Sequence, residues 1–306
     1  MHTILGAGGA IGRALAQELI RAHKPVRLVG RHAPRVSGAL EAVTADVNDA
    51  QQTLRAVTGS QVVYLVAGLK YDTRVWADSW PRIMDNVIEA CKRAGAKLVF
   101  FDNVYMYGKS AGPMTEETAF NPCSRKGEIR ARIATTLLEA TRAGSLTALI
   151  ARCADFYGPG ARTSIPVLLV FDRLAKGRAA YWLVNDAVPH SYTFVPDAAR
   201  SVALLADSDA AWNQTWHLPT APDPPTGGTF VRMAAQALGI APRYRVLGRS
   251  LLKIGGWFDS DVRESYEMLY QNDSAYVFDS SKFRRAFGGE ATSYAEGIRH
   301  TAESYL

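Results

Sequence analysis

Short apolar runs recur along the first half of the chain at His2 to Leu5, Val26 to Val29, Ala42 to Ala45, Val62 to Val66, Leu98 to Phe101 and Leu146 to Ala151. Their length and lack of alternation predict strands covered on both faces. Between them the apolar spacing changes to three and four. Ile11, Leu15 and Leu19 form one stripe, Ile83, Val87, Ala90, Cys91 and Ala94 a second, and Ile129, Ile133, Leu137 and Ala140 a third. Each stripe is wide enough to cover a sheet with one helix face. Strands that alternate with helices need crossovers, and these are right-handed. The pattern therefore predicts an α/β fold with a doubly wound parallel sheet.

After about Ala151 the alternation stops. Tyr157-Gly158-Pro159-Gly160 reads as a loop and Ile165 to Lys176 as a helix. Pro219, Pro222, Pro224 and Pro225 crowd one connection before a helical stripe at Phe230, Ala234 and Ala237 that stops at Gly239. The expected division is a first unit over residues 1–155 with a return segment near 190–208, and a smaller C-terminal lobe from 156–189 and 209–306.

Composition narrows the function classes. A chain of 306 residues that is 48% hydrophobic can bury a large core, which excludes a disordered tail or a disulfide miniprotein. The net charge of +6 is scattered, with pairs such as Arg125-Lys126 and Arg284-Arg285 as the longest basic runs, so no nucleic-acid stripe is expected. Cys91, Cys123 and Cys153 are odd in number and widely spaced, which argues against a disulfide framework or zinc site and for a reducing cytoplasm. No apolar run approaches 18 residues and no signal-peptide opening is seen, so a soluble protein without a membrane partner is expected. The six histidines show no ligand spacing, and no metal is expected. A Gly-x-Ser-x-Gly elbow, the mark of many hydrolases, is absent from the sequence.

The first strand runs directly into Gly6-Ala7-Gly8-Gly9-Ala10-Ile11-Gly12 and a helix. Glycines there allow a tight turn and let backbone N–H groups approach a pyrophosphate at the helix N-terminus, so this first unit reads as a Rossmann dinucleotide domain. The second strand ends in Gly30-Arg31-His32 with no carboxylate to meet a ribose 2′-hydroxyl. Arg31, helped by Arg35, could meet a 2′-phosphate, which favours NADP over NAD; the other reading is a solvated loop arginine. Asp46-Val47 could flank the adenine, with Asp46 accepting from its amine, or Asp46 could cap a helix. Val66-Ala67-Gly68 ends the fourth strand with small residues, as close approach of a dinucleotide needs, or as a simple turn.

Together with Val104 to Gly108, Arg152 to Gly160, Phe194 to Asp197 and Tyr276 to Lys282, these residues resemble the extended short-chain dehydrogenase/reductases, specifically the NAD(P)-dependent epimerase/dehydratase family. The resemblance implies a catalytic Ser/Thr after the fifth strand and a Tyr-x-x-x-Lys helix. At the matching positions this chain has Asn103, Lys126 and Arg130, so the triad is degenerate. Tyr105 to Lys109 spells Tyr-x-x-x-Lys, but in a loop, where the two cannot share a helix face. Lys126 and Arg130 lie four apart and repel unless an anion lies between them; a bound nucleotide would supply it. Burial and the neighbouring guanidinium would lower the lysine pKa, making Lys126 a general acid or base, with Asn103 or Tyr105 hydrogen-bonding the substrate oxygen. Equally, Lys126 only hydrogen-bonds the ribose and Arg130 only faces water. Tyr107 and Tyr157 belong to turns where the family packs a ring, and Phe156 would be an apolar wall at the nicotinamide end.

The expected activity is NADP- or NAD-dependent oxidation, reduction, epimerisation or dehydration of a small carbonyl or alcohol, a sugar nucleotide by analogy. Thr163, Ser164, Trp182, Asn185, His190, Tyr192, Arg263 and Tyr266 are lobe residues that could contact it. Two rivals stand beside this: a retired, NADP-sensing regulator, and an interaction protein using a helix-pair homodimer through residues 78–94 and 124–143, with Ile83 and Val87 as contacts.

Overall fold

The computed structural model describes residues 1–305. Six strands follow the predicted runs: β1 (His2–Leu5), β2 (Val26–Gly30), β3 (Glu41–Thr44), β4 (Val62–Leu65), β5 (Lys97–Asp102) and β6 (Ala148–Arg152). They are followed by β7 (Asp155–Tyr157), β8 (Ala180–Leu183), β9 (Tyr192–Phe194), β10 (Thr215–His217) and β11 (Tyr244–Leu247). The main sheet has the order β10-β6-β5-β4-β1-β2-β3, all parallel, so strand order reverses between β1 and β4. In sheets of this kind ligands bind beyond the strands' carboxyl ends at such a reversal. Two small parallel pairs, β7 with β9 and β8 with β11, build the lobe beyond it.

The helices are α1 (Ala10–Arg21), α2 (Ala50–Val57), α3 (Thr73–Ala94), α4 (Arg125–Arg142), α5 (Asp172–Ala175), α6 (Val195–Asp207), α7 (Gly227–Ala237), α8 (Arg249–Phe258), α9 (Ser260–Tyr266), α10 (Ser281–Phe287) and α11 (Tyr294–Glu303). Alternate strand residues feed two cores. Ile4, Leu28 and Tyr64 pack with Leu15 and Leu19 of α1 and Val202 and Leu205 of α6. Leu5, Val29, Leu65 and Phe100 pack with Ile83 and Val87 of α3 and Ile133 and Leu137 of α4. Ile83 and Val87 are thus buried within the subunit, which removes them as dimer contacts. Among the described residues no helix is long and apolar enough to cross a membrane.

Three elements depart from the pattern. β3 is an edge strand whose residues alternate between half-buried and exposed, so it is not covered on both faces. The expected helix from Ile165 to Lys176 is a π-helical turn at Val167–Phe171 running into the four-residue α5. β10 adds a seventh strand from within 209–306, the stretch expected to lie wholly in the lobe. Three residues carry no measurable periodicity, and only pairing with β6 defines them.

Candidate coenzyme cradle and reaction cavity

The turn from β1 to α1 is shaped by what it touches. Gly6 has φ of 94°, and a Cβ built on it would lie 2.4 Å from Ala67 Cα, so the β4 end packs directly on the turn. A Cβ on Gly12 would lie 2.7 Å from Ala7 Cα, which presses the helix start against the loop. Gly8 and Gly9, by contrast, are exposed and their missing side chains face open space, with nothing nearer than 3.8 Å. Gly9 is the N-cap of α1 and no side chain bonds the helix's first N–H groups. Backbone N–H groups without a side-chain cap at the start of a twelve-residue helix suit a pyrophosphate.

The rest of the predicted cradle surrounds this turn. Arg31 is exposed just beyond β2 and forms no ion pair among the described residues. Asp46 Oδ1 accepts from Asn48 N at 3.0 Å, an Asx turn, while Asp49 is the residue that caps α2 by accepting from Gln52 N. The helix-cap reading of Asp46 is therefore corrected. Val47 O accepts from Asn86 Nδ2, which ties α3 to this rim. Val66 N donates to Leu5 O, and Ala67 backs Gly6, leaving Gly68 exposed.

The four residues expected to act on substrate part company. Lys126 is fully buried, and its Nζ donates to Thr73 Oγ1 at 2.7 Å, Glu264 Oε2 at 2.7 Å, Glu264 O at 2.9 Å and Glu267 Oε1 at 3.0 Å. The Tyr71 ring lies under it at 4.7 Å. The anion beside Lys126 is thus a pair of protein carboxylates from α9 and its end, not a nucleotide. Burial pushes the Glu264 carboxyl up, but hydrogen bonds from Lys126 and Thr73 outweigh it and hold the pKa down at about 2. Arg130 does not face water: its Nε donates to Asp102 Oδ1 at 2.8 Å, and its guanidinium lies 4.6 Å from the Trp80 ring and 5.0 Å from Phe100. Asn103 Oδ1 accepts from Tyr105 N, fixing the turn after β5. Tyr105 alone of the four lines a cavity.

That cavity, of about 60 Å³, is lined by Tyr71, Tyr105, Asp155 and His190 together with apolar residues such as Trp182 and Met268 and the polar Ser265, Gln271 and Asn272. His190 Nε2 is 3.0 Å from Asp155 Oδ2, and its ring is stacked between Tyr276 at 4.1 Å and Tyr192 at 4.7 Å. Tyr105 stacks on Trp76 with centroids 6.2 Å apart. Burial, reinforced by Tyr71 and Asp155, holds the Tyr105 hydroxyl well above its ordinary pKa, so it stays a neutral donor.

Residues 2–216 match the NAD dependent epimerase/dehydratase family. The chain belongs to that family. It is 23% identical over 319 aligned positions to the 3beta-hydroxysteroid-dehydrogenase/decarboxylase isoform 2 of Arabidopsis thaliana, covering 88% of this chain and 52% of that protein. The chain thus spans about half the length of this curated relative. Among solved structures, MoeE5 in complex with UDP-glucuronic acid and NAD superposes with a TM-score of 0.80 at 20% identity, over 99% of this chain and 98% of that one. DesIV, a dTDP-glucose 4,6-dehydratase from Streptomyces venezuelae with NAD and TYD bound, gives 0.81 at 19% identity, over 100% and 97%. The UDP-glucose 4-epimerase of Thermus thermophilus in complex with NAD gives 0.80 at 19%, over 100% and 99%. At these identities the likeness to solved structures is one of fold.

A second buried ionic network centres on Asp102. Asp102, at the end of β5, receives Arg130 and also Arg152 Nε at 3.4 Å, all three buried. Arg152 Nη1 donates to the Tyr107 hydroxyl at 2.7 Å, which donates to His217 Nε2 at 2.8 Å, while His217 Nδ1–H donates to Asp279 O at 2.9 Å. This tautomer follows from the carbonyl, which can only accept. Burial drives the His217 pKa down to about 3, matching its neutral role.

Asp155, Tyr71, Asp102, Glu264 and Glu267 escape a reading of the sequence. Asp155 lies three residues past Arg152, inside a motif where the neighbouring Phe156 and Tyr157 draw attention, and its partner His190 is 35 positions away. The Glu264 and Glu267 pair has a faint local signal, two acids on successive turns beside Ser260 and Asp261, but nothing in it names Lys126.

Proposed function

We propose that the protein binds a nicotinamide dinucleotide on the Gly6 to Gly12 turn and acts on a carbonyl or alcohol held in the cavity beside Tyr105. When bound, such a coenzyme gives or takes a hydride. The observation that carries this reading is the turn itself: Gly6 and Gly12 are crowded by Ala67 and Ala7, while Gly8 and Gly9 leave bare backbone at an uncapped helix start. Arg31, exposed at the end of β2 with no acidic residue beside it in the sequence, supports NADP as the preferred form, with NAD as the second. Asp46 Oδ2 is left to accept from the adenine amine, and Val47 to cover the ring.

Within the cavity, the neutral Tyr105 hydroxyl donates to the substrate oxygen. His190, oriented by Asp155, gives that oxygen a proton in reduction and removes it in oxidation. Lys126, Arg130 and Asn103 act on positions: they hold α9, the β5 end and the Tyr105 turn. The curated relative is named for a hydroxysteroid, and the solved neighbours are named for, or bound to, nucleotide sugars.

A second reading, coenzyme sensing without turnover, draws on the carboxylates that saturate Lys126 at the position where the family places its proton-transfer tyrosine. One comparison decides between them. Fluorescence titration with NADH and NADPH should show binding of both with NADPH tighter, and carbonyl-dependent oxidation of the bound coenzyme should be lost in His190→Gln while binding is kept. Binding without oxidation across a carbonyl panel would support the sensor, and absence of binding would end both readings.

A further inference from the structure

We propose that α8 is an interfacial helix that seats the protein on an anionic phospholipid surface, a contact independent of the coenzyme and of the cavity. Side chains on this helix are distributed the wrong way round for one that only packs on its own domain. The inner face carries Leu252 and Gly256, and a Cβ built on Gly256 would lie 3.1 Å from Arg263 Cα, so α9 lies close against that glycine. The outer face carries Leu251, Ile254, Trp257 and Phe258, whose spacing places them on one stripe. Leu251 and Ile254 are at least half exposed, Trp257 is 73% exposed and Phe258 87%. Folding thus buries one large apolar side chain of α8 and leaves four in water, and a contiguous apolar surface of this kind marks a contact surface.

The charges around the stripe indicate what covers it. Residues 240–263 hold five cations, Arg243, Arg245, Arg249, Lys253 and Arg263, against two acids, Asp259 and Asp261. Arg249 is paired with Asp273, whereas Arg243, Arg245, Lys253 and Arg263 are exposed and form no ion pair among the described residues. Lys253 stands one turn before Trp257, at the edge of the stripe. Arg243 and Arg245 lie at the start of β11, which leads into α8 through Gly248. Of the acids, Asp259 is engaged by backbone, its Oδ1 accepting from Asp261 N at 2.8 Å and Val262 N at 3.2 Å. Four unpaired cations therefore border an apolar stripe with an indole in it. A protein partner would have to supply an apolar groove with acidic walls, but an anionic bilayer offers both complements everywhere, acyl chains to the stripe and phosphates to the cations. With ten residues α8 is too short to span a membrane, and the expectation of no membrane partner rested on the lack of a spanning run. A helix lying in the interface needs only one apolar face.

The test sediments the full chain with vesicles of phosphatidylcholine alone and of phosphatidylcholine mixed equally with phosphatidylglycerol, and follows tryptophan emission. Half-binding to the anionic vesicles is expected at a lipid concentration about tenfold or more below that for the neutral ones, with emission shifted to the blue. Trp257→Phe should keep the sedimentation and lose most of the shift. The double variant Trp257→Ser, Phe258→Ser should weaken binding by about tenfold or more while its melting temperature stays near that of the parent, because both side chains are exposed. Lys253→Glu, an independent variant on the charged edge, should narrow the preference for anionic vesicles. Failure to sediment with either vesicle, equal sedimentation with both, or full sedimentation of the double serine variant overturns the proposal. So does a dimer, detected by analytical ultracentrifugation, that the serine variant dissolves and that does not sediment with vesicles, since the stripe would then belong to a second copy of the chain.

Discussion

Lys126 Nζ and Glu264 Oε2 lie 2.7 Å apart with the lysine fully buried, so the position that the family resemblance marks for proton transfer is instead a junction between α4 and α9. Glu264 also accepts from Thr73 N at the start of α3, and Glu267 from Arg125 N at the start of α4. Two carboxylates therefore join two helix N-termini and one ammonium, an arrangement favoured by the positive ends of both helix dipoles.

Removing the ammonium leaves the carboxylates facing each other. Lys126→Met is expected to destabilise the protein by about 2 to 4 kcal/mol, less than a fully buried pair because Glu264 and Glu267 are 20% and 25% exposed. Urea unfolding of Lys126→Met, Glu264→Gln and the double variant gives the coupling between them. Additive losses would show that the contact does not hold α9.

The cradle glycines should divide into two kinds. Gly6→Ala forces a Cβ to 2.4 Å from Ala67 Cα at a positive φ, and should cost about 2 kcal/mol or more of stability as well as coenzyme binding. Gly9→Ala meets nothing nearer than 3.8 Å, so its melting temperature should stay near that of the parent while coenzyme affinity falls. Thermal melts paired with fluorescence titration separate the two effects.

Arg31→Glu tests the coenzyme preference. Exchange of the exposed cation for an anion should weaken NADPH binding by about tenfold or more and leave NADH binding within a few fold, because one charge-assisted contact is lost only with the 2′-phosphate. An equal loss for both coenzymes would place Arg31 outside the 2′ site.

Acid should unfold the protein through its buried histidines. Burial lowers the His217 pKa to about 3 and that of His2 to about 4, against an ordinary 6.5. Both folded values lie below the unfolded one, so the unfolded chain binds more protons between them. The stabilisation is complete above pH 6.5 and is lost as pH falls toward 3, at about 1.4 kcal/mol per pH unit for the fully buried His217. Urea midpoints measured from pH 7 to pH 4 should decline, and His217→Gln should flatten the decline even though it lowers stability at neutral pH.

Five of the six leading strands were legible in the sequence because a strand covered on both faces writes its burial locally, as an apolar run such as Val62 to Leu65, and the helix between runs writes its own period; the edge strand β3 was found by its place in the alternation and not by its burial. The glycine turn was legible for the same reason: the constraint on Gly6 and Gly12 acts within one βα junction. Tertiary structure alone decided the chemistry around Lys126 and Arg130. Their partners, Glu264 and Asp102, lie 138 and 28 positions away, and a charge reports its own sign in a sequence but not the charge it will meet. The same holds for His190 and Asp155, which become a pair only where β7 lies beside β9. Local backbone and solvation preferences are short-ranged and are read from neighbours along the chain; pairing of charges in a low-dielectric interior depends on which segments the fold brings within a few ångströms.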